Sequence, residues 1–214
     1  MRNFLFLLFC AFLIASCTSS KVYTRFSCKI CLSKSDGVLL LPLAWDASFQ
    51  RLSVAEQNEL ESQILTTLRD KGFSKAELYD RMDYELLSAG IKDLNDSTQR
   101  AKVNSTLGYP FLIGISLGDT KDTDGWDYQR PEEVNAIHQE YREPLEISAT
   151  LRVALIETST GEIVSDNTVF TEIREIGIPD KDGGREYWNF GTVSKAIRVA
   201  TGKGVSFMVK DCGC

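Results

Sequence analysis

Ile147-Ser148-Ala149-Thr150-Leu151-Arg152-Val153-Ala154-Leu155-Ile156-Glu157, then Thr158-Ser159-Thr160-Gly161, then Glu162 to Ile173, is the stretch that decides the fold. Ile147, Ala149, Leu151, Val153 and Leu155 recur at every second position, which places them on one face of a strand. Thr158 to Gly161 is turn chemistry, and the segment after it returns as a second strand, so the two form a hairpin. Upstream, Tyr109 to Leu117 is apolar and bounded by Gly108 and Gly118. Val38-Leu39-Leu40-Leu41-Pro42-Leu43 is an unbroken apolar run, the pattern of a strand buried on both faces. Ala76 to Tyr79 reads as one more short strand. Between these lie helical patterns. Ser53-Val54-Ala55-Glu56 is a capping box, followed by a stripe of Val54, Leu60, Ile64, Leu65 and Leu68 that stops at Gly72. A second helix is predicted over Asp80 to Ala89, and a third opens at Asp96-Ser97-Thr98-Gln99 and runs to Leu107-Gly108. A last helix over residues 192 to 210 turns Val193, Ile197, Ala200 and Met208 inward, although Gly202 and Gly204 work against it. The Gly- and Asp-rich segment Ile178 to Tyr187 reads as a loop. This order predicts an α/β fold: a mixed sheet with helices packed on it, closed by an antiparallel hairpin.

The amino terminus carries an address. After Met1-Arg2-Asn3, Phe4 to Ile14 is almost wholly apolar. A spanning helix needs about 20 such residues, so this run is too short, and its length fits the core of a secretion signal. Ile14-Ala15-Ser16-Cys17 resembles the lipobox of bacterial lipoprotein precursors. That resemblance implies a signal peptide over residues 1–16, cleavage before Cys17, diacylation of Cys17 and palmitate or a similar chain on its new amino group. The alternative is an ordinary secreted protein with a cysteine beside its cleavage site. Two or more chains anchor stably where one does not. No acidic residue follows Cys17, which by the sorting rule of enteric lipoproteins directs the protein to the outer membrane, facing the periplasm. Residues 17–36 are polar and without period, and read as a lipidated tether with an r.m.s. reach of ~25 Å. A single domain then occupies residues 37–214.

Charge and cysteines agree with that compartment. Loss of residues 1–16 removes Arg2 and no acid, leaving 23 basic against 30 acidic side chains and a formal charge of −7. Nucleic acid is excluded as a partner, since its affinity comes from Lys and Arg on phosphates. Cys10 leaves with the signal and Cys17 carries lipid. Cys28, Cys31, Cys212 and Cys214 remain, two at each end of the mature chain, and outside the cytoplasm an even set indicates disulfides. A four-thiolate zinc site is an alternative. Redox catalysis by Cys28-Lys29-Ile30-Cys31 fits least, because no helix start follows to lower a thiol pKa.

Several of these pieces occur in a familiar order: Val38 to Leu43, the helix ending in Lys71-Gly72-Phe73, the helix ending at Leu107-Gly108, the strand Phe111 to Ser116, and the hairpin around Thr160-Gly161-Glu162-Ile163-Val164. Over roughly residues 37 to 210 the chain is similar to a superfamily of envelope proteins. It includes curli-secretion channel lipoproteins, lipoprotein activators of penicillin-binding proteins and the amino-terminal domain of TolB. The resemblance implies assembly or partner binding rather than catalysis, with no cofactor. The channel members insert long amphipathic hairpins into the membrane. Here the insertion Thr120 to Glu143 is rich in Asp, Glu and Arg, which argues against a lipid-facing strand.

Motifs for chemistry are weak. Gly114-Ile115-Ser116-Leu117-Gly118 matches a nucleophile elbow, but Asp119-Thr120-Lys121-Asp122 starts no helix after it, and the only histidine, His138, lies in the charged insertion. Asp122-Thr123-Asp124-Gly125-Trp126-Asp127 resembles a calcium loop but has Thr120 and Pro131 where an EF-hand needs acids. Trp126, Tyr128 and Tyr141 in the insertion, which reads as a loop or irregular segment, and Trp188 later, are aromatics among charges, a composition common in binding surfaces. The expectation is a non-enzymatic lipoprotein, held at the membrane by its anchor, that binds an envelope protein. The alternative is a homo-oligomeric subunit of an outer-membrane secretion or transport assembly.

Overall fold

The structure, a computed structural model, describes residues 18–135 and 142–214. The stretch read as a signal peptide, Cys17, His138 and Tyr141 lie outside the described residues. Among the described residues nine strands and five α-helices follow in chain order: β1 (Thr18–Phe26), β2 (Val38–Leu40), α1 (Val54–Asp70), β3 (Ala76–Leu78), α2 (Asp83–Ser88), α3 (Ser97–Ser105), β4 (Phe111–Asp122), β5 (Gly125–Gln129), α4 (Pro131–Val134), β6 (Glu146–Glu157), β7 (Ile163–Arg174), β8 (Ile176–Pro179), β9 (Arg185–Asn189) and α5 (Val193–Cys212). The main sheet has the order β1-β7-β6-β4-β2-β3, and β5-β9-β8 form a second, smaller sheet. In the main sheet β2 is parallel to β3 and β4, and the other pairs are antiparallel. The sheet is therefore mixed, as the sequence predicts.

Alternation along the strands builds two cores. Phe111, Ile113, Ile115 and Leu117 of β4 join Leu151, Val153 and Leu155 of β6 on one face, under α1 and α5. Leu39 and Leu112 point the other way, onto Leu86 of α2 and Val103 of α3. The α1 capping box is present: the Ser53 hydroxyl accepts from the Glu56 amide, and the Glu56 carboxylate accepts from the Ser53 amide. Leu60, Ile64, Leu65 and Leu68 are buried as expected, but Val54, at the first position of the helix, is exposed. Glu61, also buried on α1, accepts from the Leu43 amide at 3.0 Å, and burial raises its carboxyl pKa. The last helix continues through Gly202 and Gly204. A Cβ at Gly204 would stand 2.8 Å from a Val153 methyl, so the missing side chain lets α5 lie directly on β6.

Three expectations are corrected. Residues 18–26 are not a tether: β1 pairs antiparallel with β7 from Thr18–Ile173 to Phe26–Asp166. The strand escapes local reading because it is an edge strand with polar and charged side chains, and such strands need no apolar alternation. The segment from Ile178 to Tyr187 is not one loop, since β8 and β9 occupy its ends. Part of the charged insertion is β5, the partner of β9.

The four cysteines are paired, Cys28 with Cys212 and Cys31 with Cys214, with Cα–Cα distances of 5.1 and 5.0 Å. They are therefore not available as thiolate ligands for zinc. Around them the Leu32 amide donates to the Cys212 carbonyl at 2.7 Å and the Cys28 amide to the Asp211 carboxylate at 2.8 Å. The bridges close almost the same loop, with separations of 184 and 183 residues. Once one has formed, the other closes only a small ring and removes little further entropy. Serine replacement of either pair alone is expected to cost ~2 kcal/mol, and replacement of both to cost well more than the sum of the two, because only then is the long loop released. Urea melts of the three variants measure this; strict additivity would contradict it.

Candidate functional site

The small sheet collects the aromatic residues that the sequence singles out. In β5–β9–β8, Trp126 is opposite Trp188, and Trp188 is opposite Ile176. One row further, Tyr128 is opposite Glu186, and Glu186 is opposite Ile178. Because side chains alternate across a strand, these residues share one face. Phe190 extends it beyond the end of β9. Trp126 stacks near Tyr128 with ring centroids 6.3 Å apart, meets Trp188 at 6.0 Å, and Trp188 stacks on Phe190 at 5.3 Å. Trp126 is 53% exposed, Ile178 50% and Phe190 77%. Large apolar side chains displayed this openly and contiguously are the composition of an interaction surface.

Carboxylates edge the aromatic face. The Trp188 indole donates to the Glu186 carboxylate at 3.2 Å, and the Tyr128 hydroxyl to Asp180 at 3.5 Å. Partial burial, and then the negative charges of Asp180, Asp182 and Glu186, raise the Tyr128 pKa, so the phenol stays a neutral donor at physiological pH.

The opposite face of the small sheet ties it to the main one. Arg142, whose side chain is only 15% exposed, lies over the Tyr187 ring with its guanidinium carbon 3.6 Å from the centroid. It pairs with Asp127 of β5 at 2.9 Å and with Glu175, which sits between β7 and β8. Asn189, at the end of β9 and buried, donates to the carbonyls of Leu145 at 2.9 Å and Ile173 at 3.0 Å and accepts from the Gly191 amide. Cation, ring and amide together hold the aromatic face at a fixed angle to the domain.

The sequence-based candidates are thus partly brought together. Trp126, Tyr128 and Trp188 form one surface, whereas Tyr141 and Cys17 lie outside the described residues. Phe190, Ile176 and Ile178 were missed, although their spacing with Trp188 and with one another is the period of two that marks a strand face. Ser116 lies within β4, which runs on to Asp122, so the strand–turn–helix of a nucleophile elbow is not formed. Asp122 and Asp124 flank the turn into β5, and Asp127 is committed to Arg142. Among the described residues no group of three or more His, Cys, Asp or Glu is placed to hold a metal, and no helix is long and apolar enough to cross a membrane.

No protein-family model matches the chain, and no curated protein does. Among solved structures it is similar to the PelC dodecamer from Paraburkholderia phytofirmans in two crystal forms, one of them a point variant. Identity is 14% in both, with TM-scores of 0.49 and 0.48, over 89% of this chain and 98% and 97% of the PelC chains. It is also similar to the lipoprotein GNA1162 from Neisseria meningitidis, at 12% identity and a TM-score of 0.37, over 64% of this chain and 82% of that one.

Replacing Arg142 with Ala would leave the Glu175 carboxylate, 15% exposed, without its counter-ion and uncover Tyr187. Losing one partner of a largely buried pair costs about 3 kcal/mol. Hydrogen exchange of the R142A variant is expected to show this loss locally. Amides of β5 and β9 should exchange faster while those of β6 and β7 are unchanged. Equal acceleration in both sheets, or in neither, would refute the clamp.

Proposed function

We propose that the protein is a lipoprotein of the cell envelope, anchored through Cys17 in the outer membrane on its periplasmic face, and that it works without catalysis by binding another envelope protein. The aromatic face of the small sheet carries this reading. It presents flat π surfaces and aliphatic side chains on a rigid, clamped sheet with carboxylates at its edge, the composition of interface anchors. It holds no nucleophile paired with a base. The two disulfides support an oxidising compartment outside the cytoplasm.

The early start of β1 sharpens the mode of action. Thr18, the residue after the lipidation candidate, is paired with Ile173, three positions before the start of β8 at Ile176. An anchor on the residue before Thr18 would therefore share one end of the domain with the small sheet. In place of a free leash of ~25 Å, the domain sits directly on its anchor, so its aromatic face meets a partner close to the membrane. A membrane-associated protein fits that position better than one deep in the periplasm.

Photo-crosslinking in native membranes tests this. A photoreactive phenylalanine analogue at Trp126 or Trp188 is expected to give one dominant protein adduct, and the same probe at Ser97 on α3 to give none. Cys17→Ser should abolish the adduct by releasing the protein from the membrane. A ladder of self-adducts with a ring in native mass spectrometry would favour the oligomeric subunit instead. Equal labelling from Ser97 and Trp126 would remove the aromatic face as the docking surface.

A further inference from the structure

A second concavity lies on the sheet face opposite α1 and α5, between α2, α3 and the turn of the β6–β7 hairpin. It encloses about 760 Å³, within the range of small-molecule sites. Leu86, Ile91 and Leu112 form a buried apolar floor, and Trp45 and Leu87, 56% and 61% exposed, stand at the rim. Trp45 is braced edge-on against Tyr79 with centroids 4.8 Å apart.

Arg100 of α3 lines this pocket in an unusual state. Its guanidinium donates to the carbonyls of Leu94 at 2.9 Å and Thr160 at 3.3 Å, while its Nε is buried without a hydrogen-bond partner. No carboxylate among the described residues lies within ion-pair distance of it. Gly161 backs directly onto it: a Cβ there would stand 2.4 Å from one guanidinium nitrogen, and the φ of +77° also favours glycine. The turn is thus shaped to the arginine. Asp83, Asp93 and Lys92 also line the pocket. Asp93 is occupied by the Asn95 amide and side chain at 2.9 and 3.0 Å, and neither acid reaches Arg100.

A half-buried guanidinium held only by neutral carbonyls pays desolvation without the return of a counter-ion. Its planar fork matches the geometry of a carboxylate, and the apolar floor beside it favours an acid carried on an apolar body. We infer that this pocket binds a small carboxylate carried on an apolar body, the acid facing Arg100 and the body on the floor of Leu86, Ile91 and Leu112. Two sources share that chemistry, a short fatty acid and the free carboxyl end of an apolar peptide. The inference stands apart from the aromatic face of the small sheet and survives the failure of that reading.

Calorimetric titration of the purified, disulfide-intact chain tests it with two matched pairs, hexanoate against hexanamide and N-acetyl-leucyl-phenylalanine against its amide. At least one acid is expected to bind one to one and at least tenfold more tightly than its amide. Hexanoate alone would identify the lipid source, the peptide alone the chain end, and both the shared chemistry. Arg100→Gln should remove the preference for acid over amide. Since Arg100 also braces the hairpin turn, Leu87→Glu serves as the second variant. It lies at the exposed rim, should leave the melting temperature unchanged, and should weaken the acid at least tenfold by placing a competing carboxylate at the mouth. If neither acid outbinds its amide, or L87E binds as well as the wild type, the inference is wrong.

Discussion

The pairing of β1 with β7, locked by Cys28–Cys212 and Cys31–Cys214, is the constraint on which the rest of the molecule depends. It brings Thr18 to Phe26 alongside the last long strand of the main sheet and fixes the following segment to the end of α5. One exposed edge of the β6–β7 hairpin is thereby covered, since an unpaired edge of this length would be open to other chains. The seal is non-local, closing a loop of more than 180 residues. It therefore acts chiefly by restricting the unfolded chain.

From that seal follows the position of the small sheet. β7 passes through Glu175 into β8, and β9 passes through Phe190 and Gly191 into α5, so two of the small sheet's connections leave from elements that the seal holds. Arg142 and Asn189 then convert a marginal three-stranded ribbon into a fixed platform. Small antiparallel sheets are barely stable alone, and here salt bridges and side-chain amides supply what a core of its own cannot. An exposed aromatic face on a clamped sheet is already ordered, so a partner docking there would lose less entropy on binding.

Much of the main sheet was legible because each signal is local. Ile147 to Leu155 alternate, Ser53 and Glu56 cap, and Val38 to Leu40 are apolar on both sides because cores form on both faces of the sheet. What escaped depends on partners distant in sequence. Lys21, Tyr23 and Arg25 give β1 no apolar period, and its strand character comes from β7 alone. Pro179 to Gly184 break the run between β8 and β9 with turn chemistry, which hides two strands of four and five residues. The aromatic composition of the candidate face was visible, and its assembly on one side of a sheet was not. Arg100 and Gly161 are 61 positions apart, and nothing near either one announces their contact.

The most direct test of the account is hydrogen exchange on the β7-facing amides of Thr18 to Phe26 in the oxidised protein. Protection comparable with that of the β6–β7 hairpin, lost together with the disulfides on reduction, is the expected result. Exchange at the rate of an unstructured chain would restore the flexible tether and contradict the account.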